Sequence, residues 1–287
     1  MDTSREPPRP RNRPLRSVTG DGDSSPAAVR RERGERSDLH GAALVLLRHG
    51  ESKSHAAGIL AGMGDPELTH AGRDAARRAG AMLRRANLRP DQIWASTLTR
   101  ARDTAALAAI AGDFADCPAT VDHRLDERHY GDYTGRRKAE LVDELGYEQY
   151  LRLRRDVDLR PPPMTAAQRQ RHRTFPAAPE YLAGAESLAD VTLRAAAFHR
   201  ERILPALALS SRTVLVVAHG DSLRALCAVL DDLSSAELRE LTIPAATPLV
   251  YRFDWLLRTE TRGGRYLSTL GSGEPLAPIP GQHGEPR

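Results

Sequence analysis

The sequence predicts an α/β protein: one domain built on a doubly wound, mostly parallel sheet, with helices on both faces and a disordered N-terminal tail. Three observations carry this. Ala43-Leu44-Val45-Leu46-Leu47 and Val214-Leu215-Val216-Val217-Ala218 are short, wholly apolar runs, as expected of strands buried on both faces. Between such runs lie stretches with apolar residues spaced three and four apart, the period of an amphipathic helix. The two kinds of segment alternate, which favours parallel strands joined by helical crossovers.

Residues 1–40 carry Pro7, Pro8, Pro10, Pro14 and Pro26, runs such as Arg30-Arg31-Glu32-Arg33, and almost no large apolar side chains. Such a segment buries too little surface to offset its ordering entropy and is expected to be disordered. The folded domain is expected over 41–258. It opens with a strand at 43–47. Thr69 then caps a helix with apolar positions Ala71, Ala75, Ala79, Met82 and Leu83. A short strand at 93–95 and an Ala-rich helix at 98–111, stopped by Gly112, follow. A polar section over 122–186 reads as an insertion around a helix near 138–153. Helix 187–204, strand 214–218 and helix 222–230 come next. Ser234-Ser235-Ala236-Glu237 has capping-box spacing and opens a further short helix. A last strand is expected at 249–253. Gly263, Gly264, Gly271, Gly273, Pro275, Pro278 and Pro280 make 259–287 an irregular tail.

Composition narrows the function classes. Of 287 residues, 40% are hydrophobic and 28% charged, ordinary for a soluble globular chain. The apolar run at 42–47 is far short of the roughly 20 residues that span a bilayer. The tail lacks the apolar core of a signal peptide. Cys117 and Cys227 form neither a CxxC motif nor a disulfide framework. These features predict a cytoplasmic protein with no membrane partner. Lys and Arg number 42 against 38 Asp and Glu, a net charge of +4 with the signs interspersed, so no basic stripe suggests a nucleic-acid partner. No GxxxxGK[ST], GxGxxG or HExxH motif occurs, which argues against P-loop, dinucleotide-binding and zincin enzymes.

The two strongest strands end alike, in Arg48-His49-Gly50-Glu51-Ser52 and Ala218-His219-Gly220-Asp221-Ser222. Ligands of doubly wound sheets bind beyond the carboxyl ends of the strands, where both histidines fall. A neutral imidazole has a lone pair for nucleophilic attack on phosphorus, and phosphoryl transfer needs donors around the equatorial oxygens. Arg48 is one candidate donor and Arg100, following the 93–95 strand and Ser96, a second. A lone strand-end histidine is more often structural; two with the same ending, beside two arginines, point to phosphoryl chemistry.

Arg48-His49-Gly50-Glu51 with the distant His219 resembles the signature of the histidine phosphatase, or phosphoglycerate mutase-like, superfamily. Within it, the segment Leu125-Asp126-Glu127-Arg128-His129-Tyr130-Gly131-Asp132-Tyr133-Thr134-Gly135 is similar to the 2,3-bisphosphoglycerate-dependent phosphoglycerate mutases. Lys138, the pair Arg154-Arg155, the run Pro161–Pro163 with Met164, Ala185-Glu186-Ser187-Leu188, His219-Gly220-Asp221-Ser222-Leu223-Arg224 and Pro248-Leu249-Val250-Tyr251 extend the likeness over about 44 to 254. The resemblance implies interconversion of 2-phosphoglycerate and 3-phosphoglycerate, primed by 2,3-bisphosphoglycerate, without metal, in a homodimer or homotetramer. His49 is the implied phosphoryl acceptor. Arg48, Arg100 and His219 are implied to surround the transferred group, and Glu127 to exchange a proton with the substrate hydroxyl. Ser52, His55, Ala61, Gly62, Arg128, His129, Tyr130, Lys138, Arg154, Arg155, Gly220 and Asp221 are implied to contact substrate.

The chain departs from that pattern at four places. His55 stands where the family has asparagine, the stretch 56–63 lacks the usual polar and aromatic residues, Ala61 replaces threonine, and Asp221 replaces asparagine. These changes bear on substrate and on the balance between mutase and phosphatase, leaving open a histidine-type phosphomonoesterase or a mutase-like enzyme of altered substrate. They do not touch the histidine chemistry.

Overall fold

The computed structural model describes residues 41–171, 184–209, 212–254 and 256–267. The expected tail at 1–40 and the last twenty residues of the expected C-terminal tail lie outside the described residues. Six strands form one sheet: β1 (Ala43–Arg48), β2 (Gln92–Ala95), β3 (Ala119–Val121), β4 (Thr213–Ala218), β5 (Leu249–Arg252) and β6 (Arg265–Tyr266), in the order β3-β2-β4-β1-β5-β6. The first four strands in that order run parallel; β5 is antiparallel to β1, and β6 is antiparallel to β5. The sheet is therefore mixed.

Helices pack on both faces: α1 (Lys53–Ala56), α2 (His70–Arg85), α3 (Thr99–Gly112), α4 (Lys138–Leu145), α5 (Tyr147–Arg155), α6 (Ala166–Arg171), α7 (Leu188–Phe198), α8 (Leu204–Leu207), α9 (Gly220–Asp231) and α10 (Ser235–Glu240). No helix among the described residues is long and apolar enough to cross a membrane. Alternate residues of the central strands feed two cores, because successive side chains of a strand point to opposite faces. Leu44, Leu46, Val214 and Val216 pack with Leu188, Val191 and Phe198 of α7 and Leu223 and Leu226 of α9. Val45, Leu47, Leu215 and Val217 pack with Ala79 and Leu83 of α2 and Ala101, Ala105 and Ala108 of α3.

Several elements differ from the sequence reading. The helix expected near 138–153 is two helices, because Gly146 adopts φ +79, a conformation that ends α4. The helix expected over 187–204 is α7, capped by Ser187 in a capping box with Asp190, followed by a π-helical turn and α8. Gly112 is the last helical residue of α3 rather than its stop; Asp113 behind it takes the left-handed conformation. α9 begins two residues earlier than expected, directly after His219. β6 lies in the stretch expected to be irregular, where Gly263 N–H is held by Asp231 and Leu267 N–H by the Pro248 carbonyl. β3 is an edge strand of three exposed residues.

Candidate active site

β1 and β4 are parallel neighbours in which Arg48 pairs with Ala218. The residue after each partner is a histidine, and the His49 N–H donates to the Ala218 carbonyl at 3.0 Å. Both imidazoles thus leave the sheet at one edge, with ring centroids 4.9 Å apart and planes inclined at 59°. Beyond His49 the chain turns tightly beneath the first turn of α2. A Cβ on Gly50 would lie 2.3 Å from the Gly72 carbonyl oxygen, and one on Gly72 would lie 2.1 Å from that of Glu51.

His49 is buried. Its Nδ1 lies 2.6 Å from the Gly50 carbonyl oxygen, which can only accept, so the proton resides on Nδ1 and Nε2 carries the lone pair. Burial, then the nearby Arg100 charge, hold its pKa well below the ordinary value. The ring is therefore a neutral nucleophile at physiological pH.

His219 is fully buried. Its Nε2 is 2.7 Å from Ser96 Oγ, which in turn donates to Asp126 Oδ1 at 2.7 Å. Asp126 accepts further bonds from the backbone N–H and the hydroxyl of Thr97. With its O–H directed to Asp126, Ser96 accepts from His219, fixing that ring as the Nε2–H tautomer. Its Nδ1 has no hydrogen-bond partner. Burial and the charge of Arg100 depress its pKa as well. An arriving anion would favour the imidazolium, whose Nδ1–H then becomes a donor.

Two arginines complete this half of the site. Arg48 donates to the Ile243 carbonyl at 2.8 Å and leaves a buried Nε without a partner. Arg100, buried at the start of α3, donates to the carbonyls of Gly64 (2.6 Å) and Gly62 (3.0 Å), which anchors the loop after α1. Glu127 accepts through one oxygen, Oε1, from the backbone N–H groups of Arg128 (2.9 Å) and Asp221 (3.2 Å), which leaves Oε2 for proton exchange. Burial, then the Asp221 carboxylate, raise its pKa.

A cavity of about 60 Å³ opens beside these groups, space for a few waters or one small oxyanion. Arg48, His49, Arg100 and Glu127 line it together with Ser52, His55, Ala61, Gly62, Tyr130, Lys138 and Arg154, and with Ile59 and Leu60. Lys138 stands at the N-terminus of α4 and Arg154 near the C-terminus of α5, so the break at Gly146 brings two cations from adjacent helices to one mouth. Burial, followed by Arg154 and Arg48, lowers the Lys138 pKa, the mark of cations gathered around a common space.

Five residues expected to contact substrate lie elsewhere. Arg128 is buried behind the cavity, donating to the carbonyls of Glu186, Leu153 and Leu159, where it ties three segments together. His129 accepts from the Gly131 N–H. Arg155 points to α10 and donates to the Arg239 carbonyl. Gly220 lies against the Arg48 guanidinium, and Asp221 lies behind Tyr130, paired to Arg224 at 2.8 Å. For Ser96, Asp126 and Thr97 the sequence offers no more than the position of Ser96 at the end of β2 and the place of Asp126 in the 125–135 motif. Glu186, which receives the His129 N–H and pairs with Arg194 at 2.9 Å, had no signal beyond its place in a motif.

The family model for the histidine phosphatase superfamily (branch 1) matches residues 44–255. A 2,3-bisphosphoglycerate-dependent phosphoglycerate mutase of Thermobifida fusca is 39% identical over 245 residues, covering 83% of this chain and 98% of that protein. One of Streptomyces griseus subsp. griseus is 40% identical over 230 residues, covering 78% and 90%. Among solved structures, mycobacterial glucosyl-3-phosphoglycerate phosphatase in complex with VO3 superposes with a TM-score of 0.60 at 27% identity, covering 77% of this chain and 98% of that one.

Proposed function

The chain belongs to the histidine phosphatase superfamily, branch 1, and from that premise we propose that it is a 2,3-bisphosphoglycerate-dependent phosphoglycerate mutase working through a phosphohistidine. The observation that carries the reading is a neutral His49, its Nε2 lone pair free, which lines one small cavity with Arg48 and Arg100 and packs against His219 with ring centroids 4.9 Å apart.

In this mechanism His49 Nε2 attacks phosphorus, and the bond to the donor's ester oxygen breaks as the N–P bond forms. Arg48, Arg100 and the Nδ1–H of a protonated His219 would hold the equatorial oxygens, where preorganised donors are worth most. Glu127 Oε2 gives its proton to the departing oxygen. In the second half-reaction the carboxylate takes the proton of the acceptor hydroxyl as that oxygen attacks phosphorus and the N–P bond breaks. Lys138, Arg154 and His55 would hold the second anionic group, keeping a bisphosphorylated intermediate in place while it reorients. 2,3-Bisphosphoglycerate would prime His49, and no step calls for a metal. The implied setting is a cytoplasmic homodimer or homotetramer acting on small phosphorylated three-carbon acids.

The test has two parts. Incubation with 2,3-bisphosphoglycerate should add one phosphoryl group to the protein's mass, and 3-phosphoglycerate should be isomerised in the presence of EDTA. Activity independent of the bisphosphate and lost in EDTA would reject the proposal. One observation favours a second reading, a histidine-type phosphomonoesterase: the negative Asp221 stands beside Glu127 and Tyr130, behind the cavity wall. Release of inorganic phosphate from several esters without isomerisation would select it.

A further inference from the structure

Asp221 is a buried carboxylate in the midst of groups suited to hold a substrate's second anion. Its Oδ2 accepts the Tyr130 hydroxyl, Tyr130 in turn accepts from Arg154, and its Oδ1 accepts from Arg224 at 2.8 Å. Tyr130 and Arg154 line the cavity while Asp221 lies behind them.

The bookkeeping of protons at Tyr130 is decisive. A phenol has a single O–H to give, and an ionised carboxylate can only accept. The Tyr130 proton is therefore committed to Asp221, and its oxygen already accepts from Arg154. Tyr130 faces the cavity without a donor for an anion. One guanidinium N–H of Arg154 is spent on that oxygen. An amide at position 221 would alter both terms: its NH2 could donate to the Tyr130 oxygen, freeing the O–H, and the negative charge would be gone.

We propose that Asp221 is a specificity-determining residue: as a resident carboxylate it withholds the Tyr130 hydroxyl and part of the Arg154 charge from the cavity these two residues line, weakening the grip on a substrate's second anion and favouring phosphoesters with one anionic group. The inference rests on the reading of the cavity as a phosphoryl-transfer site. It makes the enzyme a leaky mutase, in which a bisphosphorylated intermediate escapes or gives way to water more readily.

The experiment compares wild type, Asp221→Asn, Tyr130→Phe and the double variant on 3-phosphoglycerate and on p-nitrophenyl phosphate, whose alcohol is uncharged. Asp221→Asn should raise kcat/KM for 3-phosphoglycerate relative to p-nitrophenyl phosphate on the order of tenfold, since a like charge is removed from a low-dielectric neighbourhood. It should tighten binding of 2,3-bisphosphoglycerate and raise the ratio of isomerisation to phosphate release. That gain should shrink in the Tyr130→Phe background. An unchanged substrate ratio in Asp221→Asn overturns the proposal, as does a full gain without the Tyr130 hydroxyl. Should Asp221→Asn fold poorly because Arg224 is left unpaired, Asp221→Asn with Arg224→Gln removes both charges, still frees the hydroxyl, and must show the gain. Wild type that takes up no phosphoryl group at His49 refutes the underlying reading, whereas labelled wild type with an unresponsive Asp221→Asn refutes this inference alone.

Discussion

Asp126 reaches His219 through a single hydroxyl, that of Ser96, which donates to the carboxylate and lies 2.7 Å from the imidazole Nε2. A buried acid, a serine and a histidine in line fix the ring's tautomer and steady the imidazolium that an anion would induce. Ser96→Ala should therefore lower kcat for phosphoryl transfer on the order of tenfold or more with less effect on KM, and shift the acid limb of the pH profile; a tautomer set wrongly is costly elsewhere for the same reason. Asp126→Asn should act in the same direction. An unaltered pH profile in both variants would leave Ser96 and Asp126 with a packing role only.

His49→Asn should leave the fold intact and abolish both turnover and the mass increase with 2,3-bisphosphoglycerate. The ring's Nδ1–H bond to Gly50 is local, and β1 is held by β4 and β5 regardless. Circular dichroism beside intact-mass measurement checks the two halves of this expectation.

Glu127→Gln should separate substrates by their leaving groups. General acid–base catalysis contributes roughly 10²- to 10⁴-fold, so a loss of that order is expected for 3-phosphoglycerate, whose alkoxide needs a proton. p-Nitrophenolate leaves without one, and the loss there should be much smaller. Burial and Asp221 raise the Glu127 pKa, so the wild-type rate of phosphoryl uptake from 2,3-bisphosphoglycerate should fall as pH rises through a value above the usual carboxylate range. That limb should be missing in Glu127→Gln.

Acid should destabilise the protein through its two site histidines. Both have folded-state pKa values well below the ordinary 6.5. Their contribution is fully present above about pH 6.5 and is lost as pH falls below it, where the unfolded chain binds protons that the folded chain refuses. Tm should drop between about pH 7 and about pH 5, and drop less in His219→Gln. Equal slopes would show that the imidazoles are not buried neutral.

The parts of this molecule legible from sequence are those set by local pattern. β1 and β4 announce themselves because a strand buried on both faces must be apolar throughout, and their shared His-Gly ending marks the catalytic edge. β3 left no trace, since Ala119, Thr120 and Val121 lie exposed on the sheet's edge. The Ser96–Asp126 pair was hidden because its meaning lies in a contact between residues thirty positions apart. Asp221 was visible as a departure from a pattern, with Arg224 one turn along the same helix, but Tyr130 and the Arg154 behind that phenol come from distant segments that only the fold brings to it. Arg155, next to Arg154, is turned to α10 by helical geometry, and Arg128, on an irregular stretch between two 3-10 turns, is turned to the interior.

The pairing of β1 with β4 and β5 has a consequence for biosynthesis. The opening strand emerges from the ribosome first, yet its only sheet neighbours are encoded near the end of the folded region. Until they appear, Leu44 to Leu47 remain an unpaired apolar segment and His49 has no companion imidazole. A nascent chain halted before residue 213 would accordingly be a client for chaperones and inert toward phosphoesters, and competence would arise in one late step of translation.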